Sequence, residues 1–395
     1  MRIVLFYSEV ESFNFFADQL AMQFRARGHE VFIFDLVALI SQDEALYMPF
    51  IEFVSRKVDI VVCFDGLGMR EDMFIEAWDS YNTIAVDILM DPPFRFHPTL
   101  EKHPRNYLLF CCDYNHVEYV KEYFGQSVPR VAFMPHVGVR PPEDGEVIPW
   151  EKRSYDILFS GTYYRPEERF SQLEKLFPRG SDMYRFYECL LGNLVENSAM
   201  SVEQAVPYTL AQAGVSFSPD TLRTVFRCSE DVDWAIRMYR RGQVIQVLAD
   251  AGLELHLLGR GWENHPSAGL PNVHRVADRI PYGQTLRYMA DARVNLNVMP
   301  GFKAGTHDRI FNTLLQHSLP LTDSSTWIDE HFTDGEDIAL YDLAALGRLP
   351  EIAEGLLMDP SGSEEMIRKG YEKVVDAYTW SDCAGWILQA VDNYF

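Results

Sequence analysis

The stretch from Val294 to Phe332 (VNLNVMPGFKAGTHDRIFNTLLQHSLPLTDSSTWIDEHF) constrains the fold more than any other part of the chain. Val294 to Val298 is a short, mostly apolar run of the kind found in strands covered on both faces. Met299 to Gly305 holds Pro300, Gly301 and Gly305, so the backbone leaves the sheet there. Thr306 and Asp308 are both good helix N-caps, and Ile310, Phe311, Leu314 and Leu315 then form one apolar stripe at helical spacing. Leu319 to Thr322 is a second buried-strand run. Strand, turn, helix and strand in this order make the repeating unit of a parallel α/β sheet. Ligands of such sheets collect at the carboxyl ends of strands, where helix N-termini offer unpaired N–H groups to phosphate. His307, Asp308 and Arg309 stand at that helix start, and the guanidinium of Arg309 suits a diphosphate.

The same alternation runs through the rest of the chain. Arg2 to Tyr7 reads as a strand, Asn14 to Arg27 as an amphipathic helix ended by Gly28, and Glu30 to Asp35 as the next strand. This doubly wound opening lacks the G-x-G-x-x-G fingerprint, because Ser8 to Asn14 contains no glycine, so no dinucleotide cofactor is expected. Strands over 59–64, 83–89, 107–112 and 131–134 lead into Asp65-Gly66, Asp91-Pro92-Pro93, Asp113 and Pro135-His136. Asp91 and Asp113 read equally well as caps of turns or helices, and His136 as a core histidine. Arg140 to Arg153, rich in proline and charge, reads as an interdomain linker. Tyr155 to Ser160 then restarts a Rossmann-like half and runs into Gly161-Thr162-Tyr163-Tyr164-Arg165.

Residues 170–242 carry no strand signal and read as a helical insertion. A helix over 243–251 and a strand over 254–258 follow, and then Gly259-Arg260-Gly261-Trp262, a plausible backbone cradle with a tryptophan to stack or to pack. Val273 to Val276 is a strand, and a helix from Tyr282 to Ala290 precedes the opening stretch. Residues 343–357, 363–378 and 382–395 are helical in pattern. The expected fold class is α/β, with two Rossmann-like domains facing a central cleft and split as 1–145 and 146–381.

Composition narrows the partners. With 47% apolar and 24% charged residues the chain is an ordinary globular one, and 395 residues suffice for two domains with cores. A net charge of −23 argues against nucleic acid or an anionic membrane as partner, so an anionic ligand needs a local cluster of Arg, His or backbone N–H. Six cysteines form no paired framework, which points to a reduced, cytoplasmic setting. Met1 leads straight into a strand and no apolar run approaches 18 residues, so neither a signal peptide nor a membrane span is expected. Asp231-Val232-Asp233 is a formal Asp-x-Asp, but it sits in a helical stretch and reads as an acidic first turn. No metal site and no cofactor are expected.

Gly305, Arg309, Phe311, Thr322 and Asp323 together resemble the donor-binding half of GT-B glycosyltransferases, in particular the CgeB-like (spore-maturation) group. The similarity continues more weakly over most of the chain. It implies that residues 1–145 receive the acceptor, that 146–381 bind a nucleotide-sugar, and that the helix 382–395 crosses back to the first domain. The donor residues it implies are Gly161, Thr162, Arg165, Gly259, Arg260, Gly261, Thr306, His307, Asp308, Arg309 and Asn312. On the acceptor side Asp91, His136 and Glu11, with Glu9 nearby, are candidates for a catalytic base. The implied reaction is metal-independent transfer of a hexosyl group from a UDP- or GDP-linked donor to a protein, glycan or small acceptor. Many retaining relatives carry two glutamates across the donor loop, where this chain has Ala304 and Asn312. That departure leaves two alternatives open: a non-catalytic sugar-nucleotide-binding protein, and a nucleotide-sugar epimerase of the same architecture.

Overall fold

A computed structural model describes residues 1–38, 44–141 and 146–395. The chain makes two compact units, Met1–Val137 with Tyr378–Phe395, and Gly138–Ala377.

The first unit holds six parallel strands: β1 (Arg2–Tyr7), β2 (Glu30–Asp35), β3 (Ile60–Phe64), β4 (Ile84–Leu89), β5 (Tyr107–Cys111) and β6 (Val131–Phe133). Their order is β2-β1-β3-β4-β5-β6. Every residue of β3 and β5 is buried, as continuous apolar runs require when helices cover both faces. The helix Glu11–Ala26 lays Phe16, Ala17, Leu20, Ala21 and Phe24 onto the sheet. The last helix, Trp380–Tyr394, packs beside it. Trp380 stands 5.0 Å from Phe16 between ring centroids, and Arg27 donates to the Ser381 carbonyl at 2.8 Å.

The second unit repeats the plan with β7 (Tyr155–Ser160), β8 (Leu255–Leu258), β9 (Val273–Ala277), β10 (Ala292–Asn297), β11 (Leu319–Asp323) and β12 (Ala339–Tyr341). All pairings are parallel, in the order β12-β11-β10-β7-β8-β9. Between β7 and β8 the chain is wholly helical: Pro166–Phe170, Asp182–Glu196, Val202–Gln212, Pro219–Cys228 and Glu230–Asp250, with one 3-10 turn at Ser171–Lys175.

The structure changes one expectation and adds two features to the sequence reading. The helix placed at 243–251 starts at Glu230 and does not break at Gly242. That glycine sits mid-helix because a Cβ there would lie 3.2 Å from the Tyr163 ring. The strand β12 was not anticipated, since Ala-Leu-Tyr is too short to announce itself by periodicity. The end of the linker is built into the second unit. Residues 142–145 lie outside the described residues, but Trp150 joins the core of the second unit and Arg153 is buried. Arg153 donates to the carbonyls of Ile148, Ala292 and His317, so its charge fastens the linker to the start of β10 and to the turn before β11.

Candidate functional site

The strand order of the second unit reverses between β7 and β10, and open α/β sheets take ligands in the crevice beyond the carboxyl ends of strands at such a point. A cavity of about 420 Å³ lies there. Gly161 and Thr162 line it from the end of β7, Gly259 and Arg260 from the end of β8, and His307, Asp308 and Arg309 from the start of the helix Asp308–Leu315. Asp278, Arg279 and Tyr282 complete the wall after β9, and the sequence did not single out Asp278 or Arg279. The lining carries three guanidinium groups against two carboxylates, a local positive excess in a chain of net charge −23.

The glycines of the two strand-end turns serve each other. Gly161 N donates to the Leu258 carbonyl at 2.8 Å and Tyr163 N to the Arg260 carbonyl at 2.9 Å, so the turns are laced together. A Cβ on Gly259 would lie 2.3 Å from the Gly161 carbonyl oxygen, and one on Gly261 only 1.8 Å from that of Tyr163. Both glycines have positive φ, 124° and 88°. The reading of this segment as a cradle is therefore corrected in part: Gly261 is glycine for turn-to-turn contact and does not line the cavity. Trp262 packs rather than presenting its face to a ligand. It is 1% exposed, stacks on Tyr163 and donates from Nε1 to the Gly161 carbonyl at 2.8 Å.

At the helix start the N-cap is His307, not Thr306 or Asp308. Its Nδ1 lies 3.3 Å from Arg309 N and 2.6 Å from Asp308 Oδ1. One nitrogen cannot accept from an amide and donate to a carboxylate at once. The shorter contact decides, because an unprotonated Nδ1 would set lone pair against carboxylate at 2.6 Å. The ring therefore carries its proton on Nδ1 and gives it to Asp308. The other Asp308 oxygen accepts from the Tyr282 hydroxyl, which in turn accepts from Asn312 Nδ2 at 2.9 Å. Burial first, then the neighbouring Asp308 charge, holds the Tyr282 phenol well above its usual pKa.

Arg309 is half-buried at the cavity wall. Its Nη1 donates to Asn297 Oδ1 at 2.6 Å and its guanidinium sits 5.6 Å from the Phe159 ring centre. Burial lowers its pKa from the usual arginine value, and Asp308 opposes that most strongly. Such a group loses little further hydration when an anion arrives.

Not every expected donor residue reaches the cavity. Arg165 lines a different one, with Tyr239 and His265, and Thr306 is fully buried. Asn312 is 1% exposed and turned inward. Its Oδ1 accepts from Val139 N at 2.9 Å, and its Nδ2 donates to Tyr282 and to the Asp308 carbonyl.

The acceptor-side candidates share one edge of the first sheet. Glu11 is exposed at the start of the helix after β1, Asp91 follows β4, and His136 is buried after β6. Asp91 pairs with Arg95 at 3.2 Å. Asp113 caps the helix Tyr114–Phe124 by accepting from Asn115 N at 2.7 Å. Asp231 and Asp233 lie in the first turn of Glu230–Asp250, where Asp233 pairs with Arg237 at 3.0 Å. Among the described residues no three His, Cys, Asp or Glu side chains are grouped to hold a metal, and no helix is long and apolar enough to cross a membrane.

Comparison with known proteins agrees with this architecture. The profile of a family described as glycosyl transferase-like matches residues 240–389. No curated protein matches the chain. Among solved structures, the sucrose-phosphate synthase of Thermosynechococcus elongatus superposes with a TM-score of 0.54 at 10% identity, covering 100% of this chain and 98% of its own. A glycosyltransferase of Rickettsia africae gives 0.53 at 9% identity, with 100% and 98% covered. HepE of Anabaena, solved in complex with UDP-glucose, gives 0.50 at 11% identity, with both chains covered completely. The two parallel six-stranded sheets with their helices are the GT-B fold of glycosyltransferases.

Proposed function

We propose that this chain is a metal-independent glycosyltransferase of the CgeB-like group, moving a hexosyl group from a UDP- or GDP-linked donor to a protein, glycan or small acceptor in the cytoplasm. The observation that carries the reading is the half-buried guanidinium of Arg309 in a positively biased cavity at the switch point of the second sheet. Departure of a nucleoside diphosphate builds negative charge, and pre-oriented guanidinium and helix N–H groups stabilise it most where water is excluded. In this reading Arg309 and the amides at the start of Asp308–Leu315 take the diphosphate, assisted by Arg260 and Arg279. The segment from Asp278 to Tyr282 lies beside base and ribose. Asp91, at the end of β4 and paired with Arg95 at 3.2 Å, is the preferred acceptor base over Glu11 and His136. A solved neighbour of the same fold contains UDP-glucose, which makes uridine donors the first to try.

The test is a thermal-shift screen against UDP, GDP, CDP, ADP and dTDP, each with and without Mg²⁺. A nucleotide at 100 times its dissociation constant stabilises the fold by about 2.7 kcal/mol, which reads as a raised melting temperature. UDP or GDP is expected to raise it without Mg²⁺, and no shift from any nucleotide overturns the proposal. A second reading, a binding protein without turnover, is favoured by Ala304 and by the inward-turned Asn312. UDP binding with no hydrolysis or transfer from any UDP-sugar would select it. Epimer formation from UDP-N-acetylglucosamine without acceptor would select an epimerase.

A further inference from the structure

The second unit has a larger cavity, of about 670 Å³, on the other side of β10 from the one just described. It opens at the carboxyl ends of β11 and β12 and shares no lining residue with the first. At its inner wall the Lys303 ammonium and Asp323 Oδ2 stand 3.6 Å apart, with the two side chains 9% and 2% exposed. Asp323 Oδ1 accepts from Met299 N at 2.7 Å, whereas Oδ2 is buried with no hydrogen-bond partner among the described residues. A buried carboxylate oxygen left in this state costs free energy unless something completes it.

The gap suits a group that donates to a carboxylate while accepting from an ammonium, and a sugar hydroxyl does both. The rest of the lining selects among hydroxyl-bearing ligands. Asp329, Asp334 and Asp342 join Asp323 against Lys303 and Arg348, which disfavours an anion. Ile352, Leu356 and Met366 add apolar lining of the kind that takes the C–H face of a pyranose ring. The cavity is also wired to the first. The Tyr341 hydroxyl donates to the Asn297 carbonyl at 2.7 Å, and Asn297 Oδ1 receives Arg309.

The geometry points to a saccharide-binding site at Lys303 and Asp323, distinct from the nucleotide cavity, in which a sugar hydroxyl bridges the ammonium and the carboxylate. It takes a neutral sugar and does not require the nucleotide reading to hold.

The experiment is saturation-transfer NMR on the full chain with glucose, galactose, N-acetylglucosamine, maltose and cellobiose, alone and with UDP present. At least one saccharide is expected to bind the wild type, with or without UDP. Its affinity should fall at least tenfold in Asp323→Asn and at least threefold in Arg348→Ala, a change on the exposed rim that leaves the core untouched. UDP affinity in Arg348→Ala should match the wild type. No binding by any of the five, displacement of the saccharide by UDP, or undiminished binding in both variants overturns the inference. Failure of UDP to bind the wild type would overturn the donor reading alone.

Discussion

Arg309 Nη1 donates to Asn297 Oδ1 at 2.6 Å, and Asn297 Nδ2 donates onward to Thr322 Oγ1 at 2.8 Å, so the charge at the cavity is anchored through two adjacent strands. Arg309→Ala is expected to weaken UDP binding roughly 10- to 100-fold, the range of one charge-assisted hydrogen bond. It should also destabilise the fold by about 1–3 kcal/mol, because Asn297 Oδ1 loses its partner in a buried site. Calorimetric titration with UDP and thermal melting read the two effects separately. Unchanged UDP affinity would remove the diphosphate from this position.

Gly261→Ala combines a positive φ with a Cβ 1.8 Å from the Tyr163 carbonyl, whereas Gly28→Ala has a φ of 82° and open space. The first should destabilise the protein by 3 kcal/mol or more, about 1 of it from the left-handed backbone; the second should show only that ~1 kcal/mol. Gly347→Ala, with neither strain nor contact, is the control. Equal melting losses at 261 and 28 would mean the two turns are not locked as described.

Asp65 stands at the end of β3 with φ 53°, and burial, then the nearby Asp91 carboxylate, push it well above the usual carboxylate range. Its folded-state pKa exceeds the unfolded one, so folding takes up a proton between them. The contribution is most favourable below about pH 4 and is lost as pH rises through the folded value. Asparagine tolerates this backbone and can still accept from Met90 N, which Asp65 Oδ1 does at 2.9 Å. Asp65→Asn should therefore melt at or above the wild type at pH 7.5, with the difference shrinking toward pH 4. A pH-independent difference, read by circular dichroism, would contradict this.

Asn312→Ala removes the acceptor of Val139 N and the donor to Tyr282, and should cost about 1–3 kcal/mol of stability. Because Asn312 does not line the cavity, UDP affinity should fall less than tenfold. A larger loss would place the carboxamide on the ligand.

Much of the fold could be read in the chain because covered parallel strands are written as unbroken apolar runs. RIVLFY, EVFIFD and YDILFS became β1, β2 and β7 with the ends read from sequence. The site was less legible. Sequence marks which residues stand at strand ends, and seven of those expected at the donor site do meet in one cavity. It does not mark which way each side chain turns. Asn312 and Arg165 look like ligand residues by position, yet one faces Val139 and the other a separate cavity. Tyr282 looks like a helix start and becomes the partner of Asp308. His307 stands at the N-cap position that residue preference would give to Thr306 or Asp308.

The helix Pro166–Phe170 leaves the second sheet and Glu230–Asp250 brings the chain back, and Arg169 ties the two by pairing with Asp231 at 3.3 Å and lying 5.6 Å from the Trp234 ring. Departure and return thus share one doorway. Everything between them is a closed excursion, and β7 and β8 stay neighbours whatever its length. Lengthening an exposed loop within residues 171–229 is accordingly a change the sheet does not have to register, which makes that segment the natural seam for splicing in a new module.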